Sequence, residues 1–165
     1  MQITADLIRY EKLVDKSSEV ILFDLFEDDD IADDVFVLGG HELAGGWGNS
    51  ASLWGCLCDC CEGQWVHTEN RAKHAWGRLV LPYMMPDELN LRSFPDEGFI
   101  ASISPVTVTE IAADINLASV DELVNCLVKT CRDVPLVTAS NYVAQWVTLI
   151  NEAAQQQLGV IIHLG

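Results

Sequence analysis

The sequence contains few basic residues, and they are unevenly distributed. Only 9 of the 165 residues are lysine or arginine, against 25 aspartate and glutamate residues, so the formal net charge at pH 7 is −16. No lysine or arginine occurs between Ser17 and Asn70. Such a charge distribution repels nucleic-acid phosphates and attracts basic protein surfaces, although acidity can also serve solubility alone. We therefore expect no direct nucleic-acid binding and favour, as partner, a basic protein surface of a nucleic-acid-handling enzyme.

Long apolar runs are also missing from the sequence. No stretch approaches the roughly 18 uncharged apolar residues that a membrane-spanning helix needs. The stretch MQITADLIRYEKLVDK at 1–16 mixes charges of both signs with apolar positions, unlike a signal peptide. We expect a cytoplasmic protein with no membrane association. Its 165 residues fit a single compact domain over residues 1–165.

Motifs for nucleotide binding and catalysis are absent as well. The stretch GGHELAGGWG at 39–48 has neither the GxGxxG pattern nor the Walker lysine of phosphate-binding loops. The run from Asp28 to Asp30 lacks the alternating D-x-D-x-D-G pattern of a calcium loop. We therefore predict no cofactor and no catalytic residues, and expect a protein that is not an enzyme.

The stretch LWGCLCDCCEGQWVHTEN at 53–70 is unusually rich in cysteine. Its cysteines are Cys56, Cys58, Cys60 and Cys61, and the histidines available to them are His41, His67 and His74. Structural zinc sites usually pair C-x₂₋₄-C knuckles, whereas these sulfurs spread around one predicted helix. A nucleophilic thiol would need nearby positive charge to lower its pKa, and this stretch has none. We favour reduced thiols that pack a helix, without bound metal, and a zinc-binding regulatory protein stays open as an alternative.

Hydrophobic periodicity predicts an α+β fold, in which helices pack on an antiparallel sheet of meander type. Helices are predicted at 4–14, 50–61, 107–117, 120–131 and 140–158. Strands are predicted at 20–26, 35–38, 65–68, 77–83, 99–102 and 160–164. The acidic run EDDDIADD at 27–34 is predicted to be a solvated connection, and the stretch MPDELNLRSFPDEG at 85–98 a loop.

The order of elements between 53 and 117 resembles the ArdB/KlcA antirestriction family. The matching pieces are Trp54 with Leu57 and Cys58, Gly63-Gln64-Trp65, His67-Thr68-Glu69-Asn70, Leu81 to Asp87, and Gly98-Phe99 to Ser104 with Ala112 and Ala113. Arg71 and Ala72 stand where that family has a glycine pair. The resemblance implies a small acidic α+β protein of plasmids, phages or other mobile elements that protects incoming DNA by opposing host type I restriction, without catalysis.

The charge distribution independently suggests which residues contact the partner. An acidic surface can occupy a basic DNA-handling groove by complementary electrostatics. The predicted partner-binding residues are Glu27, Asp28, Asp29, Asp30, Asp33 and Asp34, with Trp47 as an apolar anchor. An immunity protein that neutralises a basic toxin nuclease would use the same physics and is the second alternative.

Overall fold

The computed structural model describes residues 3–15, 29–37, 41–42, 50–61, 90–94, 98–116 and 120–164. These residues form helices and an antiparallel sheet, which confirms the predicted α+β class. The helices are α1 (Tyr10–Asp15), α2 (Asp29–Val35), α3 (Ser50–Cys61), α4 (Pro105–Asn116), α5 (Val120–Thr130) and α6 (Leu136–Gln156). The strands are β1 (Ile3–Ile8), β2 (His41–Glu42), β3 (Asn90–Phe94), β4 (Gly98–Ile103) and β5 (Gly159–Leu164).

The sheet is antiparallel, but its strand order differs from the predicted meander. The order is β2-β1-β5-β4-β3, so the last strand in sequence lies at the centre. There β5 pairs with β1 from Ile3↔Leu164 to Ile8↔Gly159, and with β4 from Phe99↔Leu164 to Ile103↔Val160. The run VIIHL is apolar at consecutive positions, which suits a strand buried on both faces. That burial explains why this segment takes the central place.

The prediction of a helix at the start of the chain is wrong for 3–8, which form β1. Ile3, Ala5 and Leu7 alternate onto one face of the sheet, and Ile8 is buried on the other. Apolar residues on both faces of a strand also match helical spacing over so short a stretch, so periodicity could not separate the two states. The helix that does form here, α1, starts only at Tyr10.

Several other elements agree with prediction, with shifted ends. The structure confirms α3, α5, β4 and β5, whereas part of the predicted loop at 85–98 is the strand β3, paired with β4. Helix α4 begins at Pro105, before the predicted start at 107, because the hydroxyl of Ser104 caps it by accepting a hydrogen bond from the Thr107 amide at 3.3 Å. Helix α6 begins at Leu136 after Pro135 as N-cap, rather than at Ser140. Proline suits a helix start, since it has no amide hydrogen to leave unpaired.

Helix α6 ends at Gln156, two residues before the predicted end at 158, and Gly159 begins β5. The C-cap of α6 is Gln157, which has the left-handed angles φ 56° and ψ 40°. A Cβ atom at Gly159 would lie 2.9 Å from the carbonyl oxygen of Ile103 and 3.0 Å from Cβ of Tyr10. Glycine is required here because the neighbouring strand and α1 approach too closely for any side chain.

The main core fills the space between one face of the sheet and helices α3 to α6. Strand residues Ile3, Leu7, Ile103, Val160 and Ile162 contribute to it, each fully buried. The helices contribute Leu53, Trp54, Leu57, Val108, Ile111, Ile115, Val124, Leu127, Tyr142, Val143, Trp146, Leu149 and Ile150. Leu53, Trp54 and Leu57 thus form the inward face of α3, and Trp54 and Trp146 both fill the core.

Three of the predicted strands, at 20–26, 65–68 and 77–83, lie outside the described residues. The strand predicted at 35–38 is wrong where the structure describes this segment, because Val35 ends α2 and Phe36 forms only an isolated bridge with Ile8. Among the described helices, none combines the length and the apolar character that crossing a membrane requires.

Candidate functional site: an acidic helix on the sheet

The predicted solvated connection at 27–34 is wrong for 29–35, which form helix α2, hereafter the acidic helix. Asp29, Asp30 and Asp33 are exposed on it, and Asp34 is half-exposed. Aspartate is a poor helix former in the interior of a helix but is favourable in the first turn, where Asp29 and Asp30 lie, because the helix dipole is positive there. Of the other predicted partner-binding residues, Glu27, Asp28 and Trp47 lie outside the described residues.

Apolar contacts hold the acidic helix against the sheet face opposite the main core. Val35 is fully buried there in a small cluster with Ile8, Leu13 and Ile161. Ile31, on the preceding turn, packs against the same cluster. The helix therefore has one apolar face on the fold and presents its aspartates to solvent, an arrangement typical of an amphipathic surface helix.

Arg9 fixes the C-terminal end of the acidic helix. Its Nη1 donates hydrogen bonds to the carbonyl oxygens of Asp33 at 3.4 Å, Asp34 at 3.1 Å and Phe36 at 3.0 Å. The Arg9 amide also donates to the carbonyl of Val35 at 2.8 Å. A guanidinium at this place satisfies the last carbonyl groups of the helix and complements the negative end of its dipole.

The Arg9 charge is therefore directed at backbone oxygens rather than at the exposed carboxylates. A second cation, Lys12, lies 3.8 Å through its Nζ from Oδ1 of Asp34, and both side chains are substantially exposed. An exposed ion pair of this kind contributes at most about 1 kcal/mol. Asp29 and Asp30 lie at the other end of the helix, about 6–8 Å along its axis from Asp34 at a rise of about 1.5 Å per residue.

The cysteines of α3 pack in the interior, as predicted, although their contacts are with helix α5 rather than with the sheet. Cys60 is buried, and Cys56 and Cys58 are partly buried against the main core. His67 and His74 lie outside the described residues. Cys61 and His41 are described only through the backbone elements that contain them, α3 and β2. Within the described ranges, no three His, Cys, Asp or Glu side chains converge to hold a metal ion.

Two cysteines outside the cysteine-rich stretch, Cys126 and Cys131, lie near the α3 thiols. We call Cys56, Cys60, Cys126 and Cys131 the thiol cluster. Cys60 Sγ lies 3.4 Å from Oγ1 of Thr130, and Cys126 Sγ lies 3.9 Å from the same oxygen. The pKa of Cys56 is raised to about 12, mainly by desolvation on burial and secondly by hydrogen bonding with Cys131. The pKa of Cys60 is also raised to about 12, mainly by desolvation on burial and secondly by hydrogen bonding with Cys126.

These thiol pKa values predict a loss of stability in alkaline solution. The thiols of Cys56 and Cys60 ionise near pH 9.0 when unperturbed but only near pH 12 in the folded protein. The folded state therefore keeps protons that the unfolded state releases, so the stabilisation is complete below pH 9.0 and decreases as pH rises through the folded pKa. Urea unfolding under reducing conditions should show the midpoint falling as pH rises above about 9.

The double variant Cys56→Ala with Cys60→Ala tests the assignment of this pH dependence. It should flatten the decrease relative to the unmodified protein, whereas Cys126→Ala should leave most of the slope. Burial also raises the pKa of Tyr142, so this residue adds a similar loss of stability once the pH approaches its ordinary value of 10.0. The decrease in stability just above pH 9.0 therefore comes mainly from the thiols. An unchanged slope in the double variant would contradict the assignment.

The chain matches no protein-family model, no curated protein and no solved structure. The resemblance to the ArdB/KlcA family therefore remains a prediction based on the residues that carry it. Of these residues, Trp54 and Leu57 are buried in α3 and Ala112 is buried in α4, so the structure gives them packing roles.

Proposed function

We propose that this protein is a non-enzymatic acidic inhibitor that counters a host defence system by protein–protein binding, with type I restriction as the target. The observation that carries the proposal is the acidic helix. Asp29, Asp30 and Asp33 are exposed on an element that is anchored by buried Val35 and by the Arg9 guanidinium. Carboxylates on an anchored helix suit a cationic groove better than carboxylates on a flexible loop, because the chain loses less conformational entropy on binding.

In the proposed mechanism, the acidic helix occupies part of the surface with which the defence enzyme holds DNA. The net charge of −16 attracts the basic groove over long range and increases the association rate. Carboxylates then replace DNA phosphates as partners of lysine and arginine side chains in the groove. Binding alone would block the enzyme, so no bond-making step is needed from this chain, which acts in the cytoplasm where the enzyme meets incoming DNA.

A charge-neutral variant of the acidic helix tests this proposal. The triple change Asp29→Asn, Asp30→Asn and Asp33→Asn removes three charges from the exposed face while keeping its shape. Efficiency of plating of unmodified phage, on cells that carry type I restriction and express the protein, measures protection. We expect the triple variant to lose most of the protection that the unmodified protein gives.

A matched control separates this surface from net charge in general. The triple change Glu110→Gln, Asp121→Asn and Glu122→Gln also removes three exposed charges, and two of them again lie in the first turn of a helix. This control should protect as well as the unmodified protein. Equal protection by both variants would contradict the role of the acidic helix. Failure of the unmodified protein to protect against restriction, or protection against a basic toxin nuclease instead, would contradict the proposed target.

Direct binding gives a second measurement. Biolayer interferometry with purified type I restriction enzyme should show an association rate that falls steeply as salt is raised. The acidic-helix variant should lower the association rate at low salt by about tenfold, the lower part of the range that electrostatic steering provides. An association rate independent of salt would contradict the electrostatic mechanism.

A further inference from the structure

The interface between α3 and α5 brings thiols from distant parts of the chain together. Cys60, on the last turn of α3, and Cys126, on α5, both approach the hydroxyl of Thr130, at 3.4 Å and 3.9 Å. The sulfur atoms of both cysteines therefore lie beside one hydroxyl group. The two helices that carry these thiols pack directly against each other.

The two thiols differ in their access to solvent. Cys60 is 6% exposed, whereas Cys126 is partly exposed beside the exposed Thr130. A small molecule in solution therefore reaches the Cys126 sulfur first, and Cys60 lies behind it. This order is typical of a dithiol that reacts in two steps, with an accessible thiol and a sheltered resolving thiol.

We propose that Cys60 and Cys126 form a redox-responsive dithiol that takes a low-molecular-weight disulfide, such as oxidised glutathione, as its oxidant. The Cys126 thiol loses its proton to solvent, and its thiolate attacks one sulfur of glutathione disulfide. A mixed disulfide forms and one glutathione leaves. Cys60, deprotonated in turn, attacks the Cys126 sulfur, which forms the Cys60–Cys126 disulfide and releases the second glutathione. The protein loses two electrons and two protons, and one glutathione disulfide is reduced to two thiols.

The hydroxyl of Thr130 distinguishes this pair from the other pair of the thiol cluster. It lies next to Cys60 and Cys126, and it can donate a hydrogen bond to a thiolate as the negative charge forms. Cys56 instead neighbours Cys131, which is 4% exposed and belongs to the main core. Reaction at Cys131 would require oxidant to enter that core. The accessible pair with a polar neighbour therefore reacts first.

The disulfide would join α3 covalently to α5. These helices are far apart in sequence, so the bridge closes a long loop and restricts the unfolded chain. We expect the oxidised protein to melt at a higher temperature than the reduced protein. This inference is independent of the proposed function, because it concerns the helices on the other side of the sheet from the acidic helix.

Mass spectrometry of the full chain can identify the pair. Reduced protein is incubated with oxidised glutathione, the remaining thiols are alkylated, and the protein is digested with trypsin. Cleavage after Lys129 puts Cys126 in peptide 93–129 and Cys131 in peptide 130–132, while the cysteines of α3 stay together in peptide 17–71. We expect peptide 17–71 joined to peptide 93–129, with the mass of two hydrogens lost. A link to peptide 130–132, or glutathione adducts alone, would overturn the proposal.

Serine variants assign the partner within α3. Cys60→Ser should lose the linked peptide and the rise in melting temperature, whereas Cys58→Ser and Cys61→Ser should keep both. A link that survives in Cys60→Ser would overturn the assignment. Tandem fragmentation of the linked peptide from the unmodified protein locates the bridge independently, so the test does not depend on the folding of any variant.

Discussion

Replacing Trp146 with alanine is expected to lower the free energy of unfolding by about 3–5 kcal/mol, the usual cost of truncating a large buried aromatic side chain. Trp146 is fully buried in the middle of α6, where it belongs to the main core. Its removal leaves a cavity beneath the sheet that the neighbouring helices cannot close without moving. Urea unfolding followed by far-ultraviolet circular dichroism measures the change.

Thr148→Ala on the same helix is the control for Trp146→Ala. Thr148 is exposed, and its hydroxyl bonds back to the carbonyl oxygen of Ala144 at 2.9 Å. Such bonds contribute little to helix stability, and alanine is the better helix former, so the free energy should change by less than about 0.5 kcal/mol. Similar losses in the two variants would mean that α6 is not packed as described.

Replacing Arg9 with methionine is expected to lower the free energy of unfolding by about 2–3 kcal/mol, because hydrogen bonds from a charged group contribute about 1.5–3 kcal/mol and these are partly solvated. Methionine keeps an apolar stem of similar length but cannot donate to the carbonyl oxygens of Asp33, Asp34 and Phe36. The loss should be concentrated at the acidic helix. Hydrogen exchange of the Phe36 and Val37 amides, which bond to Ala32 and Leu7, measures it locally.

Lys12→Met removes the same charge from the neighbouring helix and serves as the control. Its ion pair with Asp34 is exposed, so its loss should cost no more than about 1 kcal/mol. We also expect Arg9→Met to weaken inhibition more than Lys12→Met, although both variants make the protein more negative. Equal exchange rates at Val37 in the two variants would contradict the anchoring role of Arg9.

The sequence was sufficient to predict elements whose pattern had one interpretation. Helix α5 has a single apolar stripe and β5 is a short branched-chain run, and both were predicted correctly. By contrast, β1 is apolar on both faces, so its spacing also fits a helix. The order of strands could not be predicted either, because it depends on contacts between 3–8 and 159–164 that no local pattern reveals.

The candidate site was predicted in part. Exposure of Asp29, Asp30 and Asp33 follows from their charge, but local propensity argues against a helix of aspartates. Tertiary contacts of Arg9 and Val35 override that propensity, and nothing in the local pattern indicates that Arg9 reaches this segment. Cys126 was likewise missed because a lone cysteine in a helical stripe carries no sign of its partner, which lies on another helix.

The central position of β5 affects how the chain folds during synthesis. Residues 3–8 leave the ribosome early, but their main partner, 159–164, emerges only after all the other described elements. Until then, the facing edges of β1 and β4 are open in the nascent chain, and such edges pair readily with other chains. Contacts of this sequence separation also slow folding, since a long loop must close before they form. We therefore expect the sheet to close late in folding and the incomplete chain to be sensitive to nascent-chain chaperones.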